Sequence, residues 1–388
     1  MRRPLRKSVA TALQSNPWVN LHQRLIHEAR FQTAPPSALS GEDFSKWKKG
    51  GESYRVFLGK RNPIFDQELI GMNAALSAAS TPEPPGSIPG AALAALEAAM
   101  PLYRAVQWEE DDRANRFWIA VAEPMLVSAG EELADAHAKA YATPFPKRIL
   151  VDVSPFAWEF GAYTVGEGES AHAVMSSTEP GYKGFAALEM LMHEPSHAIV
   201  APASGAIGSD LARAAAKLGV KPYANLWHAI LFYTSGELTR RALARRGVRD
   251  YRPAIAGMYE RGFRGFKQAL ETHWQAYLDG KVSREVAIRQ VLIETAPPKN
   301  VALSVTAIVV ALALLRPRNP IIPGWIPRTA AWIAFAMLTL RGVAGMVVDG
   351  SSDLVWWPIF LTGGVLFGGV AWIARTSAFG SAVRRRQG

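Results

Sequence analysis

Two apolar runs near the end of the chain limit its fold more than any other feature. Residues 329–348 form a stretch of 20 with one charge, Arg341, and residues 354–373 form a stretch of 20 with none. A helix of about 20 apolar residues crosses a hydrocarbon core of roughly 30 Å. A further stretch, 301–315, is equally apolar but has only 15 residues. Residues 300–388 therefore read as a membrane domain with two or three transmembrane helices. Trp332, Trp356, Trp357 and Trp372 stand near the ends of the long runs, where aromatic belts form. Arg316, Arg318 and Arg328 fill the first connection, Asp349 and Asp353 the second, and Arg375, Arg384, Arg385 and Arg386 follow the last run. By the positive-inside rule the first connection and the C-terminus face the cytoplasm. If 301–315 spans, the preceding body lies on the other side; if it does not, the body is cytoplasmic.

The charge supports this division. The chain has 388 residues and a formal charge of +10, from 43 basic and 33 acidic side chains. Arg2, Arg3, Arg6 and Lys7 place four positive charges at the start, and 300–388 holds a net six; residues 8–299 are neutral, with 31 of each sign. A neutral body lacks the continuous basic face that nucleic acid requires, so no nucleic-acid partner is expected. The chain has no cysteine, which excludes disulfides, thiolate metal sites and a cysteine nucleophile. Residues 1–15 read as a basic N-terminal segment, and the apolar stretch 8–13 is too short for a signal peptide.

Within the body the texture changes once. Residues 16–145 read as helical, starting at Asn16-Pro17, where proline is tolerated in the first turn. The stretch 80–90, with four prolines and two glycines, interrupts this part as a loop. After Pro146 come three short β-branched or alternating segments, 148–153, 161–165 and 171–176, that read as strands. Helical periodicity then resumes over 183–200, 207–218, 224–245, 251–278 and 283–294. The fold class is α+β and mostly helical, with a small sheet before the helix that carries the chemistry.

That chemistry is His193-Glu194-Pro195-Ser196-His197. On a helix, residues four apart share a face, so both imidazoles can reach one zinc ion. Glu194 beside them can take a proton from water held by the ion. Leu188, Met190, Leu191, Met192, Ala198, Ile199 and Val200 make the surroundings apolar. Pro195 is the irregularity, because it removes the helix bond to Leu191 and tends to kink a helix.

A strand set ending in 171–176, followed by the helix ALEMLMHEPSHAIV, resembles a zincin metallopeptidase domain over 16–295. The resemblance implies Zn²⁺ as cofactor, a peptide or protein substrate, and an edge strand, 171–176, that lines the cleft. The segments NPWVNLHQRLIHEARF and NLWHAILFYTSGELTRR look like those of uncharacterised bacterial gluzincin-like proteins. A multi-pass protein of a bacterial inner membrane is then expected. Gluzincins take their third ligand from a later helix, and the zincin motif normally excludes proline. An inactive zincin-like scaffold at the membrane is therefore the alternative function. No oligomer interface is read from the sequence.

The helix 224–245 offers two third ligands. Glu237 sits at the margin of its apolar face, where a carboxylate needs a partner. His228 is the alternative. Nine residues separate them, about two and a half turns, so they face opposite sides. Glu237 is the expected ligand. Tyr233, one turn earlier, is the expected donor to the developing oxyanion, with His172 as another group facing the cleft.

Overall fold

The computed structural model describes residues 9–79, 88–166, 168–200 and 205–296. The membrane domain read over 300–388 and the charges at the very start lie outside the described residues. A first compact unit ends at Ala296. Among the described residues no helix is long and apolar enough to cross a membrane.

The fold is α+β and mostly helical, around a four-stranded mixed sheet. Five helices precede most of the sheet: α1 (Pro17–Phe31), α2 (Gly41–Leu58), α3 (Gln67–Ala78), α4 (Gly90–Val106) and α5 (Trp108–Tyr141). Helix α1 starts where the sequence indicates, because the Asn16 side chain accepts from the Trp18 and Val19 amides and Pro17 follows it. This cap satisfies two of the four amide donors that a helix start leaves without partners.

Strands β1 (Ala10–Gln14), β2 (Arg148–Ser154), β3 (Ala162–Val165) and β4 (Ser170–Ser176) lie in the order β1-β2-β4-β3. Two features depart from the expectation. Residues 10–14 are not part of a detached basic segment; they pair in parallel with β2, Ala10 opposite Arg148 and Gln14 opposite Asp152. Five residues, none of them fully buried, are too short a signal to read as a strand in isolation. The edge beside the motif helix is also not 171–176. That strand is interior, parallel to β2 and antiparallel to β3, and β3 forms the edge.

The register sorts the side chains of the sheet. Gln14, Asp152, His172, Tyr163 and Val165 share one face, and Val151, Ala173 and Thr164 share the other, since successive residues alternate. The first face packs with α1 to α4 in one hydrophobic core. The second packs with α5 and the later helices in another core. These helices are α6 (Phe185–Val200), α7 (Ala206–Leu218), α8 (Leu226–Arg245) and a closing helix, Arg284–Thr295.

The long helix expected over 251–278 is broken up. It runs as Ile255–Met258, a π-helical turn Tyr259–Phe263, a 3₁₀ turn, a second π-helical turn Leu270–Trp274, and Gln275–Leu278. Gly262 inside the first π turn has extended backbone, φ 176°. Gly257, Gly262 and Gly265 weaken the helical preference of this stretch.

Candidate metal centre

The site begins with a helix that keeps its shape across a proline. Helix α6 runs from Phe185 to Val200 with Pro195 inside it and buried. The ring removes one amide from the ladder. On the next residue the Ser196 hydroxyl donates to the Met192 carbonyl at 2.7 Å. The buried apolar neighbours Leu188, Met190, Leu191 and Met192 fix the helix against its core. His193 and His197 consequently share a face, with their Nε2 atoms 3.3 Å apart.

His228 joins them from the first turn of α8. Its ring centroid lies 5.4 Å from that of His193 and 5.1 Å from that of His197. One ligand atom from each of the three histidines falls within 4.8 Å of the others, so the group can hold a metal ion. His193 is buried; His197 and His228 are half-buried. Aromatic rings hold the imidazoles in place. Trp227 stacks on His228 at 5.0 Å, and Phe232, one turn after His228, lies 4.0 Å from the His193 ring.

The three rings are kept neutral. Burial first, then the neighbouring histidines, push His193 well below the ordinary histidine value. Burial and then His228 lower His197 to about 3, and burial lowers His228 to about 4. Nδ1 of His193 and Nε2 of His228 are buried without a hydrogen-bond partner. A neutral imidazole keeps a lone pair that a cation can take as a ligand.

Glu194 lies beside the triad and is itself buried. Its Oε1 is 4.0 Å from His193 Nε2. Its Oε2 accepts a hydrogen bond of 2.8 Å from the Thr164 hydroxyl on the edge strand β3. Burial raises the carboxyl to about 7, and the Thr164 bond works against that rise.

Glu237 is not brought to the histidine pair. It accepts from Arg240 at 2.7 and 2.8 Å, from Arg241 at 2.7 Å and from Gln275 at 3.3 Å. Burial opposes its charge, but the two guanidiniums outweigh burial and hold the carboxyl below its usual range. Tyr233 belongs to the same network, its hydroxyl donating to Gln275 at 2.7 Å. The separation of Glu237 from the histidines has a simple cause. A helix turns about 100° per residue, so once His228 faces α6, Glu237 points the opposite way.

His172 is also elsewhere. It lies on the sheet face opposite Thr164, bonded to Asp152 at 2.7 Å. On α8, Gly236 permits close packing, since an added Cβ would lie 2.5 Å from the Pro253 Cβ. Two contributors were not read from the sequence. Thr164 gives no signal beyond its place in a strand. Glu189, one turn before His193, is buried and bonded to the Tyr251 hydroxyl and the Ala254 amide; a carboxylate inside an apolar helix was its one visible mark. The chain matches no protein-family profile, no curated protein and no solved structure.

Proposed function

We propose that the chain is a zinc-dependent metallopeptidase of the zincin type, held at a membrane by residues 300–388. The observation that carries this reading is the convergence of His193, His197 and His228 beside the buried carboxylate of Glu194. Two nitrogens about 2.05 Å from a tetrahedral zinc ion are separated by about 3.3 Å. The Nε2 atoms of His193 and His197 are 3.3 Å apart. Three histidines without a thiolate suit zinc among the divalent ions, and a fourth position remains for water or substrate.

A bound zinc ion supplies a Lewis acid and lowers the pKa of the water it holds. The chain's own residues do the rest. Three neutral ligands leave the full double charge at the site, which favours the ionised form of Glu194 despite its burial. Glu194 is the general base: its Oε1, turned toward the histidines, takes the proton of the attacking water. It then carries that proton to the leaving amine. The third ligand in this reading is His228 rather than Glu237, which departs from the gluzincin pattern.

The test is metal analysis of the purified full chain together with a peptidase assay. One zinc per chain is expected, retained by the Glu194→Gln variant, with hydrolysis reduced at least a hundredfold in that variant. Absence of bound metal, or equal hydrolysis by the variant, refutes the reading.

A further inference from the structure

We propose that Thr164 is the positioning residue for Glu194, anchoring Oε2 on the sheet edge so that Oε1 stays turned to the histidines. The inference rests on the metallopeptidase reading and assigns a role to a residue outside the motif.

The geometry on both sides of the bond supports it. Thr164 sits on β3, a strand of four residues, and points to the face that packs on α6. Directly opposite it on β4 is Ala173, small and buried. Tyr163 and Val165 point the other way, into the N-terminal core, so the strand cannot rotate without unburying them. A threonine side chain in a strand is restricted at χ1 by its branched Cβ. The hydroxyl is therefore held by the backbone, and its 2.8 Å bond reaches a carboxylate that is 4 % exposed.

A buried carboxylate with one anchored oxygen has one orientation, whereas an unanchored one samples several rotamers about a broad terminal torsion. Proton transfer needs the acceptor within about 3 Å of the donor. An error near 1 Å in such a group lowers the rate by on the order of a hundredfold. The anchor comes from a sheet edge and its target from a helix, so this contact ties the two elements together at the reacting group.

The test uses the full chain with four substitutions at two positions, Thr164 and Glu194. Thr164→Val keeps the shape and removes the hydroxyl; Thr164→Ser keeps the hydroxyl. With zinc bound and stoichiometry unchanged, the Val variant is expected to lose kcat by on the order of tenfold to a hundredfold, with KM within about twofold. The Ser variant is expected to recover most of that loss. A loss of packing alone would not distinguish Ser from Val in this way.

A second readout needs no activity. In the metal-free chain, thermal midpoints of Thr164→Val, Glu194→Leu and the double variant form a cycle. The double shift is expected to be smaller than the sum of the single shifts. If wild type and Glu194→Gln hydrolyse alike, the peptidase reading fails, and the cycle still reports whether Thr164 holds Glu194. Additive midpoints overturn the positioning role. So does a Val variant with wild-type kcat beside an inactive Gln variant.

Discussion

His228 and Glu237 show how much one side chain's environment decides. Both stand on α8, both have chemistry suited to a cation, and the helix sends them in opposite directions. The structure surrounds Glu237 with Arg240, Arg241 and Gln275 and places His228 against the motif histidines. Their substitutions should separate cleanly. His228→Ala should lose zinc on dialysis, read by metal analysis, with the chain still folded. Glu237→Gln should keep one zinc per chain and lower the unfolding free energy by about 1 kcal/mol, since its partners Arg240 and Arg241 are only half-buried and solvent screens the pairs. Loss of metal in the Glu237 variant alone would reverse the assignment. The motif pair was legible because a spacing of four residues on one helix is local information. The choice between His228 and Glu237 was not legible, because it depends on how α8 rolls against α6, and that angle is set by the packing of buried residues such as Leu226, Ala229 and Ile230 in the finished core.

At the scale of the element, Pro195 is the informative case. A proline inside a helix costs about 3 kcal/mol in an exposed setting, and the sequence alone suggests a kink within the motif. Helix α6 nevertheless continues for five residues past it, to Val200. Burial on all sides and the back-bond from Ser196 outweigh the missing amide. Pro195→Ala should therefore raise the thermal midpoint, and metal stoichiometry should stay the same because both histidines already share a face. Zinc binding that appears only in the Ala variant would instead support the inactive-scaffold alternative. The helices α6, α7, α8 and the closing helix fall close to where periodicity places them, and α1 begins at the expected Asn16-Pro17 start. The misplaced elements are those with weak local signals. Strand β1 needs β2 to be recognisable, the edge of a sheet is a property of pairing rather than sequence, and the stretch 255–278 looks helical to periodicity while its glycines allow π turns.

Among the described residues two hydrophobic cores lie on the two faces of one sheet, and each holds a buried neutral histidine that is not one of the metal ligands. His22 is lowered to about 3 by burial, and His137 to about 4 by burial, with its bond to Leu133 opposing. His22 bonds the Tyr54 hydroxyl and His137 bonds the Leu133 carbonyl and the Ser235 hydroxyl. In the unfolded chain both take protons near the ordinary histidine value of about 6.5. The unfolded state therefore binds more protons across the acid range. The stability they contribute is complete above pH about 6.5 and is lost as pH falls toward about 4, at roughly 1.4 kcal/mol per pH unit for each histidine. Glu189 and Glu194, each raised to about 7 by burial, have the opposite slope above pH about 4.5, while the lowered His193, His197 and His228 add to the acid limb when no metal is bound. Chemical denaturation of the metal-free chain between pH 4 and 7 should show this acid limb, and His22→Gln should flatten it by nearly one proton. An unchanged slope in that variant would show that His22 is protonated in the fold.

The parallel pairing of β1 with β2 also has a consequence for how the chain is made. Gln14 and its partner Asp152 leave the ribosome far apart in time. At about 5–20 residues per second, β1 waits on the order of ten seconds for its neighbour. During that interval the Gln14 side chain lacks Asp152, one of the two residues its amide bonds in the finished fold. The helices α1 to α4 emerge meanwhile with no sheet to rest on. Their apolar faces are shielded only by one another until β3 and β4 bring Tyr163, Val165 and Val174. The N-terminal layer thus keeps its sheet-facing apolar surface uncovered for that interval of synthesis.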